Sequence, residues 1–436
     1  MTGPRVSRRA LLGAAAAGTA TGLGGCARGP RPVRVVVVWS GDELARFREA
    51  LRGYHARSVE VISVRNDMDA FLRARHSTAN QPDVAIVPYT GLIAEYAREG
   101  WLADLGFLGG RFRPGWHEPL TAGGVLSGAW VKAAHKSLFW YPPGAIADEA
   151  LPRDWNGFVD LIGRLARSGG PAPLAIGAAD GWVLTDWFEN VLASLAGGDD
   201  TYRALVAGGT DGTGAPAWEA PVRATLRRLA EVWSVPHAFP GGGRRALVTQ
   251  HEESVSQVFD QGRATMVFEG DFVVAVARRF RPQRPLARFR FPPVTAGAGR
   301  LLAAGDAAVV FSGSTDGLKL VDWLTGPDHP FQGWLSHGGY LSPQLDAPDP
   351  GRDRSGGLTT ALTEELRQAT DARTLRFDLS DRLPGPLGGP DGLGLWKILQ
   401  DFFAAVTAAD PDVHRAIDRA VRQLNNAATA QRREGP

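Results

Sequence analysis

The sequence is nearly devoid of cysteine: one residue, Cys26, in 436. A lone thiol has no internal partner for a disulfide and cannot build a cysteine metal cluster, so disulfides cannot be what holds the fold together. Lysine is almost as scarce, with Lys132, Lys136, Lys319 and Lys397 set against 44 arginines. That bias points to a G+C-rich genome, actinobacterial or similar. Beyond residue 25 no segment approaches the roughly 18 uninterrupted apolar residues of a membrane helix. Catalytic signatures are missing too: there is no Gly-x-Ser-x-Gly elbow, no Gly-x-x-x-x-Gly-Lys phosphate loop and no His-Glu-x-x-His pair. His251-Glu252-Glu253 opens like a zinc-protease motif but lacks the second His, and the nine His are scattered. The adjacent acids Asp199-Asp200 and Glu252-Glu253 point in different directions on a helix and read as solvated surface charge, although two carboxylates are what a glycosidase needs. No catalytic role, cofactor or metal site is expected.

What is present begins at the N-terminus. Ser7-Arg8-Arg9 opens an apolar run from Ala10 to Leu23, which closes on Leu23-Gly24-Gly25-Cys26. A basic n-region, a short apolar core and small residues before a cleavage point make a signal peptide. The Arg pair resembles a twin-arginine signal, and Leu23–Cys26 resembles the bacterial lipobox, whose Cys receives a diacylglycerol. Residues 1–25 are therefore read as signal peptide, Cys26 as the lipidation site and 26–32 as a tether to the outer face of the cell membrane. Removing residues 1–25 leaves 45 basic against 46 acidic residues, a balance that argues against nucleic acid as a partner.

The body then alternates strand and helix. Val33–Trp39 is a β-branched run read as a buried parallel strand, and Leu44, Phe47, Leu51 and Tyr54 recur at helical spacing behind Asp42. Val59–Val64, Met68–His76 and Asp83–Pro88 continue as strand, helix and strand. Repeated βαβ requires a parallel sheet covered by helices, with ligand held outside the carboxyl ends of the strands. Past Trp140 the pattern becomes helical, at 155–168, 180–195, 221–233 and 251–261, and strands return at 264–268 and 307–311. The expected architecture is α/β with two lobes, each a mostly parallel sheet flanked by helices, and a ligand cleft between them. Lobe 1 is assigned to 33–140 plus 300–345, lobe 2 to 141–299 plus 346–425, and 426–436 to a frayed tail.

Tryptophan is abundant, at thirteen residues, several of them beside carboxylates. An aromatic face can stack on the C–H patch of a sugar ring while carboxylates accept bonds from its hydroxyls. Trp182 and Asp186 lie four apart and share a helix face. Trp39, at a strand end, is expected to face the cleft.

These segments together resemble the extracellular solute-binding family 1, the substrate-binding lipoproteins of bacterial carbohydrate ABC importers with the type II periplasmic binding protein fold. The resemblance rests on Val37–Gly41, Pro82–Pro88, Pro152–Phe158, Gly262–Met266, Phe268–Asp271 and Gly338–Pro343, in the family's order, completed by Arg376-Phe377-Asp378 and Trp396-Lys397 as in the alpha-glucoside-like branch. It implies a non-catalytic monomer that captures a small molecule, a sugar, by lobe closure and delivers it to ABC permease subunits. It also implies ligand contacts at Trp39, Ser40, Asp42, Asp83 and Tyr89. From the second lobe it implies Trp182, Asp186 and Trp187, then Glu269 and Asp271. Gly338, Gly339 and Tyr340 would form a loop against the ligand, with Arg376 and Asp378 further on. For Asp83 a bond to nearby backbone amides is an equal alternative, and Arg376 and Asp378 could pair with each other. The chain departs from the family's sugar-contact pattern at Ala145-Ile146-Ala147 and Gly241–Arg245. Alternatives are a phosphorylated polyol, peptide or chelate as cargo, an envelope sensor or scaffold, and a hydrolase using two of Glu189, Glu269 and Asp271.

Overall fold

Valine and isoleucine on both faces of three short runs give strands that can only be stable when covered on both sides. They are β1 (Val33–Val37), β2 (Val59–Ser63) and β3 (Val84–Val87). In the computed structural model, which describes residues 31–64, 68–207, 216–282, 285–344, 357–383 and 394–434, β1 pairs in parallel with both β2 and β3. The signal segment with Cys26 and the last two residues of the tail lie outside the described residues.

The chain continues through β4 (Thr121–Ala122), β5 (Val125–Leu126), β6 (Ala129–His135), β7 (Leu138–Tyr141), β8 (Ala172–Ala175), β9 (Ala264–Phe268), β10 (Ala287–Arg290), β11 (Leu301–Val310) and β12 (Leu375–Phe377). The first sheet has the order β12-β11-β3-β1-β2, with β6 also on β11. The second has the order β10-β7-β9-β8, and β4 with β5 forms a small ribbon. Strand β11 is the seam of the first sheet. It runs antiparallel to β3 over Ala307–Val310 and to β6 over Ala303–Ala308, with an irregularity between Asp306 and Ala307, and parallel to β12 over Leu301–Ala303.

Each sheet has its own core. Val35, Val36, Ile86, Tyr96 and Leu320 are among the fully covered side chains of the first, and the second is an aromatic stack in which Phe139 meets Phe158, Trp187, Phe268 and Phe289 at 4.7–5.4 Å. Burying one such ring contributes about 1.5–3 kcal/mol. Helix starts follow their caps: Asp154 accepts from the Gly157 N–H at 2.9 Å ahead of helix Trp155–Arg167, and Ser314 from the Gly317 N–H at 3.1 Å ahead of Thr315–Leu324.

The chain passes between the two cores at five places: His135–Leu138, Phe268–Val273, between Phe280 and Ala287, Phe291–Leu301 and Phe377–Leu379. The second sheet departs from the expected mostly parallel order, since β7 runs antiparallel to both β10 and β9 and only β8 with β9 is parallel. Two further differences from the sequence reading concern where segments lie. Residues 358–377, assigned above to the second lobe, lay helix Leu358–Asp371 and β12 against the first sheet, because Leu362, Leu366 and Phe377 are buried in its core. Helix Val273–Phe280 connects two strands of the second sheet, yet Val273, Val274 and Ala277 are buried among first-core side chains. From Val33 onward the chain is one compact unit.

Candidate functional site

The carboxyl ends of β1 and β3 open on a cavity of about 320 Å³. Strand β1 delivers Trp39 and Ser40, helix Gly41–Leu51 adds Asp42 and Glu43, and β3 delivers Tyr89. The opposite wall is Trp182 on helix Gly181–Ala193, with His251, Phe272 and Arg279. The floor is made by the strand crossings: Lys132 and Lys136 from β6 and beyond it, Ala304–Asp306 from β11, and Asp381. Aromatic walls around convergent polar groups are the composition of a small-molecule site.

The floor is strongly charged. Lys136, 7% exposed, places its ammonium 2.8 Å from Asp186 and in contact with Asp378, and lies 5.5 Å from the Trp182 ring. Its own backbone is fixed on both sides, the N–H donating to Leu302 O and the carbonyl accepting from Asn190, and the neighbouring Ser137 Oγ accepts the Leu302 N–H. Burial opposes the ammonium, but Asp186 and Asp378 outweigh it and hold Lys136 well above its usual range. Asp378 is pushed up by burial and pulled back below the ordinary carboxylate range by Lys136 and Ser380. Asp186 takes the opposite direction, raised to about 8 by burial and by Asp378 despite Lys136. Behind them Glu189 accepts the Leu379 and Ser380 N–H groups, and burial with Asp378 and Asp186 raises it well above normal. Asp186, Glu189 and Asp378 bring carboxylate oxygens within 4.8 Å of one another, an arrangement able to hold a metal cation. Lys136 supplies a cation to that cluster already.

The second ammonium, Lys132, pairs with Glu43 and lies 5.3 Å from the Trp334 ring; Asp306 and Asp271 also hold its charge on. Asp306 accepts the Trp39 indole N–H at 3.0 Å, and burial raises it to about 6. Asp381 is raised well above normal, first by burial and then by Asp378. At the rim Arg279 pairs with Glu252 at 2.7 Å and reaches Asp42 at 3.6 Å.

Of the residues singled out from sequence, Trp39, Ser40, Asp42, Tyr89 and Trp182 line the cavity. Asp186 and Asp378 lie beneath it, joined through Lys136. Glu269 and Asp271 sit in the crossing after β9: Asp271 accepts the His135 N–H at 2.8 Å, whereas among the described residues neither carboxylate oxygen of Glu269 has a hydrogen-bond partner. Gly338 and Gly339 pack on helix Val273–Phe280, and buried Tyr340 donates to Val131 O at 2.8 Å.

Glu269, Asp271, Gly338, Gly339 and Tyr340 thus stand outside the cavity lining, against the expectation of contact, and three further placements differ from it. Asp83 is at the amino end of β3, about 13 Å of strand away from the cavity end, where it accepts from the Arg34 N–H and Ser314. Trp187 is five positions from Trp182, which turns it about 140° around the helix and into the second core. Arg376 donates to the carbonyls of Arg373 and Leu375 and borders a different surface hollow, while Asp378, where the chain leaves β12, turns to Lys136 and Ser380. The sequence reading passed over Lys132, Lys136, Phe272, Arg279, Asp306 and Asp381. The two lysines carried a signal: half of the chain's four sit in or next to one fully buried strand.

Comparison with known proteins agrees with this geometry. The chain is 28% identical to the osmoprotective compounds-binding protein GgtB of Synechocystis over 380 residues, 82% of this chain and 86% of that one. It is 25% identical to the alpha-glucosides-binding periplasmic protein AglE of Rhizobium meliloti over 398 residues, 85% and 83% of the two chains. Among solved structures, the bacterial solute receptor AcbH superposes with a TM-score of 0.73 at 14% identity, covering 92% of this chain and 98% of its own. RafE of Streptococcus pneumoniae does so at 0.68 and 14%, covering 92% and 100%. These structures share the two-lobed α/β architecture. Residues 59–329 match the model of the bacterial extracellular solute-binding proteins, and the chain belongs to that family.

Proposed function

We propose that the protein captures a carbohydrate between its lobes, without catalysis, and hands it to the permease of an ABC importer. The observation that carries this reading is the cavity at the strand ends, where Trp182 and Phe272 offer aromatic faces and Ser40, Asp306 and Asp381 offer polar atoms. The relatives support it: one is named for alpha-glucosides, and solved neighbours include RafE in complex with raffinose and a chitin oligosaccharide binding protein. Closure would exclude water and strengthen the polar contacts, and the permease would recognise the closed population. Export and anchoring through Cys26 complete the reading.

The test is a thermal-shift panel of mono-, di- and trisaccharides, phosphorylated polyols and peptides. A cargo at a hundred times its dissociation constant stabilises the fold by about 2.7 kcal/mol. A selective saccharide response is expected, and Trp182→Ala, which removes a half-buried wall, should weaken binding of that sugar by tenfold or more. A response confined to peptides or phosphates would sink the carbohydrate reading. Anchoring is checked separately: Cys26→Ser should move the protein from the membrane fraction to the medium.

A further inference from the structure

Every lysine and arginine that lines the cavity is committed to the protein's own carboxylates. Lys132 pairs with Glu43, Lys136 with Asp186 and Asp378, and Arg279 with Glu252 and Asp42. Guanidinium and ammonium groups in a cleft are otherwise the means of holding an anion. Here an anionic cargo would have to break existing pairs.

Carboxylates are in surplus. Asp306 and Asp381 both face the cavity, and among the described residues neither forms an ion pair. Asp306 is held by a neutral indole N–H, whereas the bonds of Asp381 are made by its backbone, the N–H donating to Asp378 and the carbonyl accepting from Gly91 N–H and Thr90 Oγ, and among the described residues none reaches its carboxylate. The two act on each other, since Asp306 adds to the charge that burdens Asp381. Glu269, 1% exposed and close enough to Asp186 and Lys136 to feel their charges, has neither oxygen hydrogen-bonded among the described residues. Buried carboxylates normally come paired. Lys132 and Lys136 relieve Asp306, and Lys136 relieves Asp381, only in part, since both carboxyls stay raised; a further positive charge would favour their ionised forms, beside an aromatic wall at Trp182 that already faces one ammonium at 5.5 Å.

We infer that the cavity is built for a saccharide carrying a free amino group, whose ammonium is received by Asp306 and Asp381. The inference rests on the carbohydrate reading and narrows it to a cationic sugar. The volume of about 320 Å³ is at the lower end of small-ligand pockets and suits one or two rings.

The test is isothermal titration of the full-length protein, near pH 7 and at low salt, with matched trios. Glucosamine and its disaccharides are compared with their N-acetyl forms and with the unsubstituted glucose counterparts, alongside a phosphorylated sugar. The free amine should bind at least about tenfold tighter than its N-acetyl and neutral partners, and the phosphorylated sugar weakest. Raising the salt should narrow the gap by weakening the amine selectively. Asp381→Asn should collapse the amine-to-neutral ratio towards one, and Asp306→Asn provides the same readout should the first variant fold poorly. Equal binding of amine and neutral sugars, or tighter binding of the phosphorylated one, overturns this inference and leaves sugar capture standing. No binding of any saccharide, with or without an amine, overturns the carbohydrate reading itself.

Discussion

Lys136 joins three parts of the molecule through one side chain. Its ammonium is buried against Asp186 of a second-lobe helix and Asp378 of a crossing, and its stem lines the cavity. Removing one partner of a buried pair leaves the remaining charge without compensation, which costs about 3–5 kcal/mol. Lys136→Met should therefore lower the urea midpoint by a corresponding amount, whereas Lys136→Arg should recover part of the loss. A midpoint unchanged in Lys136→Met would mean that the carboxylates stay protonated without the lysine. At this scale the sequence was only partly legible. Trp39, Tyr89 and Trp182 follow from strand ends and helix spacing. Asp306 does not, because it sits beside a strand irregularity that no local pattern announces, and Asp381 reaches the site only through contacts distant in sequence: Gly91 N–H and Thr90 Oγ both donate to its carbonyl.

The loop after helix Gln332–His337 meets helix Val273–Phe280 at backbone distance. Gly338 and Gly339 both have positive φ, +81° and +75°, and a Cβ on Gly339 would lie 2.9 Å from that of Ala275. Arg278 on the same helix donates to His337 O. Gly339→Ala combines left-handed strain with a clash, and should cost about 1–3 kcal/mol in urea unfolding. Gly333→Ala, with nothing within 4 Å of its added methyl, should be neutral or slightly stabilising. Strands were legible where the residues are β-branched and uninterrupted, as in β1, β2 and β3. They were hidden where the sheet is built otherwise: β6 reads Ala-Trp-Val-Lys-Ala-Ala-His, and the first half of β11 is Leu-Leu-Ala-Ala-Gly-Asp. Those strands owe their state to their partners, β3, β6 and β12 on β11 and β11 with a bridge from Leu341 on β6, which composition does not record.

Taken as a whole, the molecule concentrates raised carboxyl groups at the junction of its lobes. Asp186 stands at about 8, Asp271 and Asp306 at about 6, each raised chiefly by burial. Over the range from about 4, their unfolded value, up to about 8, the folded state binds more protons than the unfolded one, so their contribution to stability falls as pH rises. His135, buried and lowered, acts in the other sense below its unfolded value near 6.5. Glu365, held at about 2 against burial by His135 and Arg288, contributes above about 4.5 and is lost as pH falls towards 2. With three acids against one histidine, urea midpoints should be higher near pH 5.5 than near pH 8.5 and should drop again below pH 4. A midpoint rising steadily to pH 8.5 would contradict these assignments. The two-lobed plan was legible from repeated βαβ, but the return of residues 358–377 to the first sheet was not. That assignment depends on where Leu362, Leu366 and Phe377 find a core, and either core would have suited them.

The bond from the Trp39 indole to Asp306 has an optical side. Trp39 and Trp182 are the tryptophans on the cavity wall, one tied to a titrating carboxyl and the other 5.4 Å from the His251 ring. Indole emission is sensitive to neighbouring protons and to water, so an occupant touching the cavity wall would change the surroundings of these two chromophores directly. The protein thus carries a label-free reporter of its own occupancy, readable by stopped-flow fluorescence on a chain in which nothing has been altered.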